Sequence, residues 1–191
     1  LPMPAGRPRE RPPKAAPDPP PDVGRALEIA VTFLGTRPRT RWELERRLRR
    51  AGADDAVIAS ATGRLADLGY LDDAAFARWW GEQRDRHAPR GRRAIEAELR
   101  QHGVPAAVID EYRAEHVAPE RVPEDAELPG TEAERATVSL ARHLRGRPMP
   151  TERKAVQRIG MYLFRRGFDS ETVRATIRAA GNHAPIEDSE E

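Results

Sequence analysis

The chain has 191 residues, 38% of them hydrophobic and 34% charged, which is enough for one or two domains with a modest core. It contains no cysteine, so disulfide scaffolds and thiolate chemistry are excluded. Net charge is only +2, but arginine dominates the basic residues, since the sole lysines are Lys14 and Lys154. A GC-rich genome explains such a bias, and so does a partner whose phosphates or carboxylates suit the rigid guanidinium fork. No apolar run approaches the ~20 residues of a membrane span. No charged-then-apolar signal segment opens the chain, so a soluble, cytoplasmic protein is expected. The first residue is Leu1 rather than Met, which fits an unusual start codon or a truncated chain.

Residues 1–22 hold nine prolines and are expected to form a disordered tail. Arg25 to Leu34 reads as a helix with Leu27, Ala30, Val31 and Leu34 on one side, ended by Gly35. Thr40 and Glu43 form a capping box for a second helix, whose Leu44 and Leu48 face the core with Trp42 at the edge of that face. Gly52 stops it. Asp54 then caps a helix with the stripe Ile58, Ala61, Leu65, Leu68. Gly69 ends that helix, Asp72 caps the next, and Leu71 and Phe76 stand at the positions of a hydrophobic staple. Phe76, Ala77 and Trp80 share a face, and Pro89 and Gly91 break the helix. Further helices are expected over Arg92 to Gln101 and Pro105 to about Arg113. A proline-containing acidic linker follows. The last unit places Val138, Ala141, His143 and Leu144 in its first helix, a loop from Gly146 to Pro150, a helix from Lys154 to Arg166, and a closing helix from Ser170 to Ala180 that stops at Gly181.

One beat recurs along this order. Leu44, Leu48, Gly52 returns as Ile95, Leu99, Gly103 and as Ile159, Leu163, Gly167, each followed six residues later by Ile58, Ile109 or Val173. Residues four apart share a helix face, and a glycine four beyond can take the left-handed conformation that ends the helix. Asp54, Pro105 and Asp169 then open new helices. The predicted fold is all-α, three tandem three-helix repeats in an elongated array with disordered tails. The boundaries are 1–22 (tail), 23–71, 72–116, 117–131 (acidic, Pro-rich linker), 132–181 and 182–191 (acidic tail).

Motifs for catalysis are absent. There is no Gly-rich loop ending in Gly-Lys-Ser/Thr, the five histidines lack metal-ligand spacing, and none of the four serines sits in a nucleophile elbow. Asp72-Asp73, at a helix start, reads as a capping pair. No enzyme activity, metal or cofactor is expected. Charge is more telling. Residues 131–181 carry 11 basic against 5 acidic residues, 117–130 carry 1 against 4, and 182–191 carry 0 against 4. Arginines cluster on each repeated helix and the loop before it, which favours an anionic partner, nucleic acid or an acidic protein surface. The candidate contact residues are Arg39, Arg46, Arg50, Arg90, Arg92, Arg93, Arg153, Lys154, Arg165 and Arg166.

Arg39-Thr40-Arg41-Trp42-Glu43-Leu44, Gly69-Tyr70-Leu71-Asp72-Asp73 followed by Phe76-Ala77, and Gly91, Ile95, Leu99 and Gly103 resemble the RecX regulatory proteins. Tyr162 to Phe168 is similar to that family's third-repeat signature, so the resemblance spans about residues 25–180. The long acidic insertion and the proline-rich tail depart from it. The resemblance implies a non-catalytic monomer that binds the RecA filament on DNA, lies in its groove, and suppresses strand exchange, ATP hydrolysis and co-protease activity in DNA repair and the SOS response. Contact with single- or double-stranded DNA is a further expectation. The competing reading is a helical module that acts on nucleic acid alone.

Overall fold

The computed structural model describes residues 19–117 and 130–182; the expectations for 1–18, 118–129 and 183–191 lie outside the described residues. All regular structure among the described residues is helical: α1 (Val23–Leu34), α2 (Arg41–Arg50), α3 (Asp55–Asp67), α4 (Asp73–His87), α5 (Arg92–Gln101), α6 (Ala106–Val117), α7 (Glu132–Leu144), α8 (Arg153–Arg165) and α9 (Ser170–Asn182). Every extensive helix–helix packing lies within α1–α3, α4–α6 or α7–α9. Each trio encloses its own core, centred on Leu44, Leu48 and Ile58, on Ile95, Leu99 and Ile109, and on Ile159, Leu163 and Val173. The three repeats are therefore three separate small cores.

The recurring glycine has a specific job. Gly52, Gly103 and Gly167 have φ of +88°, +75° and +92°. After each, the next residue donates its N–H back to the core leucine: Ala53 to Leu48 at 3.2 Å, Val104 to Leu99 at 3.0 Å and Phe168 to Leu163 at 3.4 Å. The glycine N–H takes the carbonyl one residue further along, and the residue after the glycine is buried against the core. This is the Schellman ending, which satisfies two orphan carbonyls and requires a left-handed residue at its turn. The caps also fall where the side chains predict. Thr40 and Glu43 close a reciprocal capping box, and Asp22, Asp54, Asp72 and Asp169 each accept from an N–H of the first turn.

Several expectations are corrected. Asp22 caps α1, which starts at Val23, and Pro21 is buried, so the end of the supposed tail belongs to the first unit. Leu68 lies past the end of α3 and is 61% exposed, outside the stripe. Leu71 packs in the first core and Phe76 in the second, so the staple pair is split between units. Helix α6 continues to Val117, its last turn tied by Tyr112 stacking on His116 at 4.1 Å. Helix α7 buries Arg135, Ala136, Ser139 and Leu140, while Ala141 and His143 are exposed. Helix α9 runs through Gly181 to Asn182.

The units are joined by their repeated helices. His102, the C-cap of α5, presents its carbonyl to the hydroxyl of Thr40, the N-cap of α2, at 2.6 Å. Arg166, the C-cap of α8, presents its carbonyl to the N–H of Gly91, the N-cap of α5, at 3.0 Å. The repeated helices thus abut head to tail, α8 on α5 on α2. Around the first joint, Glu43 Oε1 lies 3.0 Å from His102 Nδ1 and 3.1 Å from Arg37 Nη2. Burial opposes ionisation of Glu43, but His102, Arg37 and the Thr40 N–H together hold its carboxyl below the usual range. Asp73 accepts from the Arg41 N–H at 2.9 Å. At the second joint Arg135 donates to Asp85 at 2.8 Å with both side chains buried, and Arg142 donates to the terminal α4 carbonyls of Arg86 and His87. Breaking such a buried pair from one side leaves an uncompensated charge. The joints link first to second and second to third, a linear array.

Glycine also sets how closely the units approach. A Cβ on Gly103 would collide with the Trp42 side chain, and one on Gly167 with the backbone of Ala94. Gly69 and Gly146 share the positive φ, but a Cβ there meets nothing within 4 Å. Gly69→Ala and Gly146→Ala should each cost about 1–2 kcal/mol in a denaturant melt, the strain of a left-handed alanine. Gly103→Ala and Gly167→Ala should each cost a further ~1–3 kcal/mol from overpacking. Equal costs in the two pairs would mean that the joints do not form. Leu48→Ala, Leu99→Ala and Leu163→Ala, at sites with no exposure, should each cost roughly 2–5 kcal/mol, and parent-like melting would refute the shared core position.

Candidate anion-binding surface

The ten candidate cations fall into two groups. Four are held by the protein itself. Arg90 and Arg84 grip the two oxygens of Glu98 at 2.6 and 2.7 Å, and the Trp80 indole donates to the same carboxylate. Arg92 lies 4.0 Å from Glu96, which Arg113 and Arg100 also hold; the Arg113 hydrogen bond above all keeps that carboxyl below its usual range. Arg166 donates to the Pro89 carbonyl at 3.4 Å and sits over the Tyr162 ring. Arg39 lies 4.3 Å over the Phe33 ring and donates to Thr36, while its Nε is buried without a partner among the described residues. Burial, then the neighbouring Arg37, lowers its pKa.

The other six present their charge outward. Arg46 leans on Trp42 and Arg93 on Phe164, both exposed. Arg50, Arg153, Lys154 and Arg165 are exposed and make no ion pair among the described residues. Sequence clustering could not separate the groups, because Glu96 and Glu98 reach arginines on other elements, Arg84 on α4, Arg90 in the loop before α5 and Arg113 on α6, as well as Arg92 and Arg100 on their own helix. Arg147 and Arg158 belong with the outward group and were not among the ten.

Two concavities gather these cations. In the first unit, a cleft of about 390 Å³ is lined by Phe33, Arg39, Trp42, Arg46, Arg47 and Arg50, with Glu43 at its wall. In the third, a groove of about 700 Å³ between the end of α7 and the length of α8 collects Arg147, Lys154, Arg158 and Arg165 beside Tyr162 and His143. No carboxylate lines the second groove, and its two rings are stacked at 3.9 Å. Lys154, Arg158 and Arg165 fall on one side of α8, as their spacing of four and seven requires. A row of unneutralised cations with an aromatic platform can hold a chain of phosphates or a strongly acidic surface.

Asp72 and Asp73 both serve helix starts, accepting from Ala74 and Ala75 and from Arg41. Among the described residues no cluster of His, Cys, Asp and Glu has the makings of a metal site, and no helix is long and apolar enough to cross a membrane.

Family models match two stretches: residues 26–65 fit the first three-helix domain of RecX and residues 72–112 the second. Over 190 residues the chain is 34% identical to the regulatory protein RecX of Thermobifida fusca, covering 96% of this chain and 95% of the relative. The RecX of Prosthecochloris aestuarii is 31% identical over 156 residues, 82% of this chain and 93% of that one. The crystal structure of RecX from Lactobacillus salivarius superposes with a TM-score of 0.70 at 17% identity, over 84% of this chain and 97% of that one, which supports the fold. With first and second RecX domains in register and homology along almost its full length, the chain belongs to the RecX family of regulatory proteins.

Proposed function

We propose that this protein binds the RecA–DNA filament and modulates it, mainly by inhibition of strand exchange, ATP hydrolysis and co-protease activity, in DNA repair and the SOS response. Family membership is the observation that carries this reading. The architecture supports it: a linear array with outward cations in each unit suits a long anionic partner. In this reading 23–71, 72–116 and 132–181 act as modules joined by 117–131, in a cytoplasmic monomer that contributes contacts rather than chemistry. The carboxylate-free groove on α8 favours one alternative, a helical module that acts on nucleic acid alone. Binding to bare DNA and to the filament at equal salt separates the two.

The protein in excess over filament sites should depress DNA-dependent ATP hydrolysis by the RecA of its own organism, while hydrolysing none itself. Unchanged RecA turnover and strand exchange would reject the regulator and promote the nucleic-acid module. Within the interface, the outward cations should matter more than the paired ones. Arg93→Glu with Arg165→Glu should weaken filament binding and flatten its salt dependence while the melting temperature stays near that of the parent. Arg90→Glu should instead lower the melting temperature, because it sets a second carboxylate against Glu98. If the same reversal at Arg7 and Arg9 weakens binding as much as Arg93 and Arg165 do, bulk charge and not these positions is responsible.

A further inference from the structure

Helix α8 has a second face, which shares only Gln157 and Met161 with the cationic groove. Toward α9 it opens an apolar groove of about 480 Å³ floored by Val156, Gly160, Met161, Val173 and Ile177. Gly160 stands in the interior of the helix, where glycine is the least favourable residue after proline. Packing does not call for it: a Cβ there would meet Ile177 and Val173 at ordinary van der Waals distances of 3.5 and 3.8 Å. What glycine does is keep the floor of the groove open. Met161, half exposed beside it, is a flexible apolar side chain of the kind that adapts to a bound partner. The rim carries Arg174 and Arg178, both exposed and one turn apart on α9, with no carboxylate in the lining and no ion pair to either among the described residues.

We infer that this groove docks an acidic segment of a protein partner, seating an apolar side chain over Gly160 while carboxylates meet Arg174 and Arg178. A phosphate backbone has nothing apolar to place on such a floor, whereas an amphipathic segment fills it and is steered by the two cations. The inference rests on the reading that the partner is the RecA filament, and it divides the labour of the third unit: nucleic acid or acidic surface on one side of α8, a protein anchor on the other.

The test uses the full chain and compares affinity for the RecA filament on single-stranded DNA with affinity for the same DNA bare. Gly160→Met fills the groove on a helix that it also stabilises, and Gly160→Ala gives the same helical gain without filling it. Gly160→Met, and separately Arg174→Glu with Arg178→Glu, should weaken filament binding by about tenfold, as loss of an interface anchor does. Bare-DNA affinity after Gly160→Met should stay unchanged, Gly160→Ala should bind like the parent, and both Gly160 variants should melt no lower. Filament affinity of Gly160→Met within about twofold of the parent, less than half a kcal/mol, would overturn the inference. So would an equal loss on bare DNA, which would make the groove a nucleic-acid site, or an effect that vanishes when residues 183–191 are removed, which would give the groove to the acidic end of the chain itself. If the parent chain binds no filament at all, the proposed function fails first and the inference with it.

Discussion

The structure depends on one hydrogen-bonding problem at helix ends, met the same way twice. A helix terminates with carbonyls that have no partner inside it, and begins with N–H groups in the same position. Here the last carbonyl of one repeated helix is taken by the first residue of the repeated helix before it: His102 by Thr40, and Arg166 by Gly91. The donor differs, a threonine hydroxyl in one joint and a glycine amide in the other, but the acceptor is the same position of the repeat. The glycine that ends each helix makes this possible, since it turns the chain sharply enough to expose the carbonyl and has no side chain to hold the next unit away. Three small cores, each modest by itself, are thereby linked into an array.

The joints explain why so many arginines are unavailable to a partner. Arg142 closes the end of α4, Arg135 is buried against Asp85, and Arg166 reaches the Pro89 carbonyl. Arg84, Arg90, Arg92, Arg100 and Arg113 are spent on two carboxylates of α5. A chain with nearly all of its basic residues as arginine uses that side chain as structural fastening, for which its fork of donors is suited. What remains outward includes the cluster on α2, Arg93 on α5, the row along α8, and Arg174 and Arg178 on α9.

Much of this was legible in the sequence, and the parts that were share a cause. The repeat, the glycine stops, the Thr40–Glu43 box and the aspartate caps are local interactions within four to six residues, written into spacing and residue type. The joints involve residues 32 to 77 positions apart, from Arg41 with Asp73 to Arg166 with Pro89, and no periodicity reports them. The sorting of Arg90 from Arg93 depends on which side of α5 carries Glu98, a distinction that composition averages away. Tyr70 shows the limit differently. It follows Gly69 as Ala53, Val104 and Phe168 follow their glycines, and its N–H returns to Leu65 at 2.8 Å, yet its side chain is 66% exposed. Local hydrogen bonding fixes the backbone there, while the packing partner that would bury the ring is missing.

An array whose units are fixed end to end presents its outward cations at set intervals, and a long filament is the kind of partner that can read them. The claim beneath this is that the joints are real bonds rather than chance proximity. Amide hydrogen exchange of the full chain, followed by NMR, tests it at one atom. Gly91 is an N-cap, and its N–H has no acceptor within its own helix, but it is paired with the Arg166 carbonyl. Arg153 and Lys154 open α8, whose cap supplies no side-chain bond. The account predicts that the Gly91 amide exchanges far more slowly than those of Arg153 and Lys154. Exchange of Gly91 as fast as theirs would contradict it.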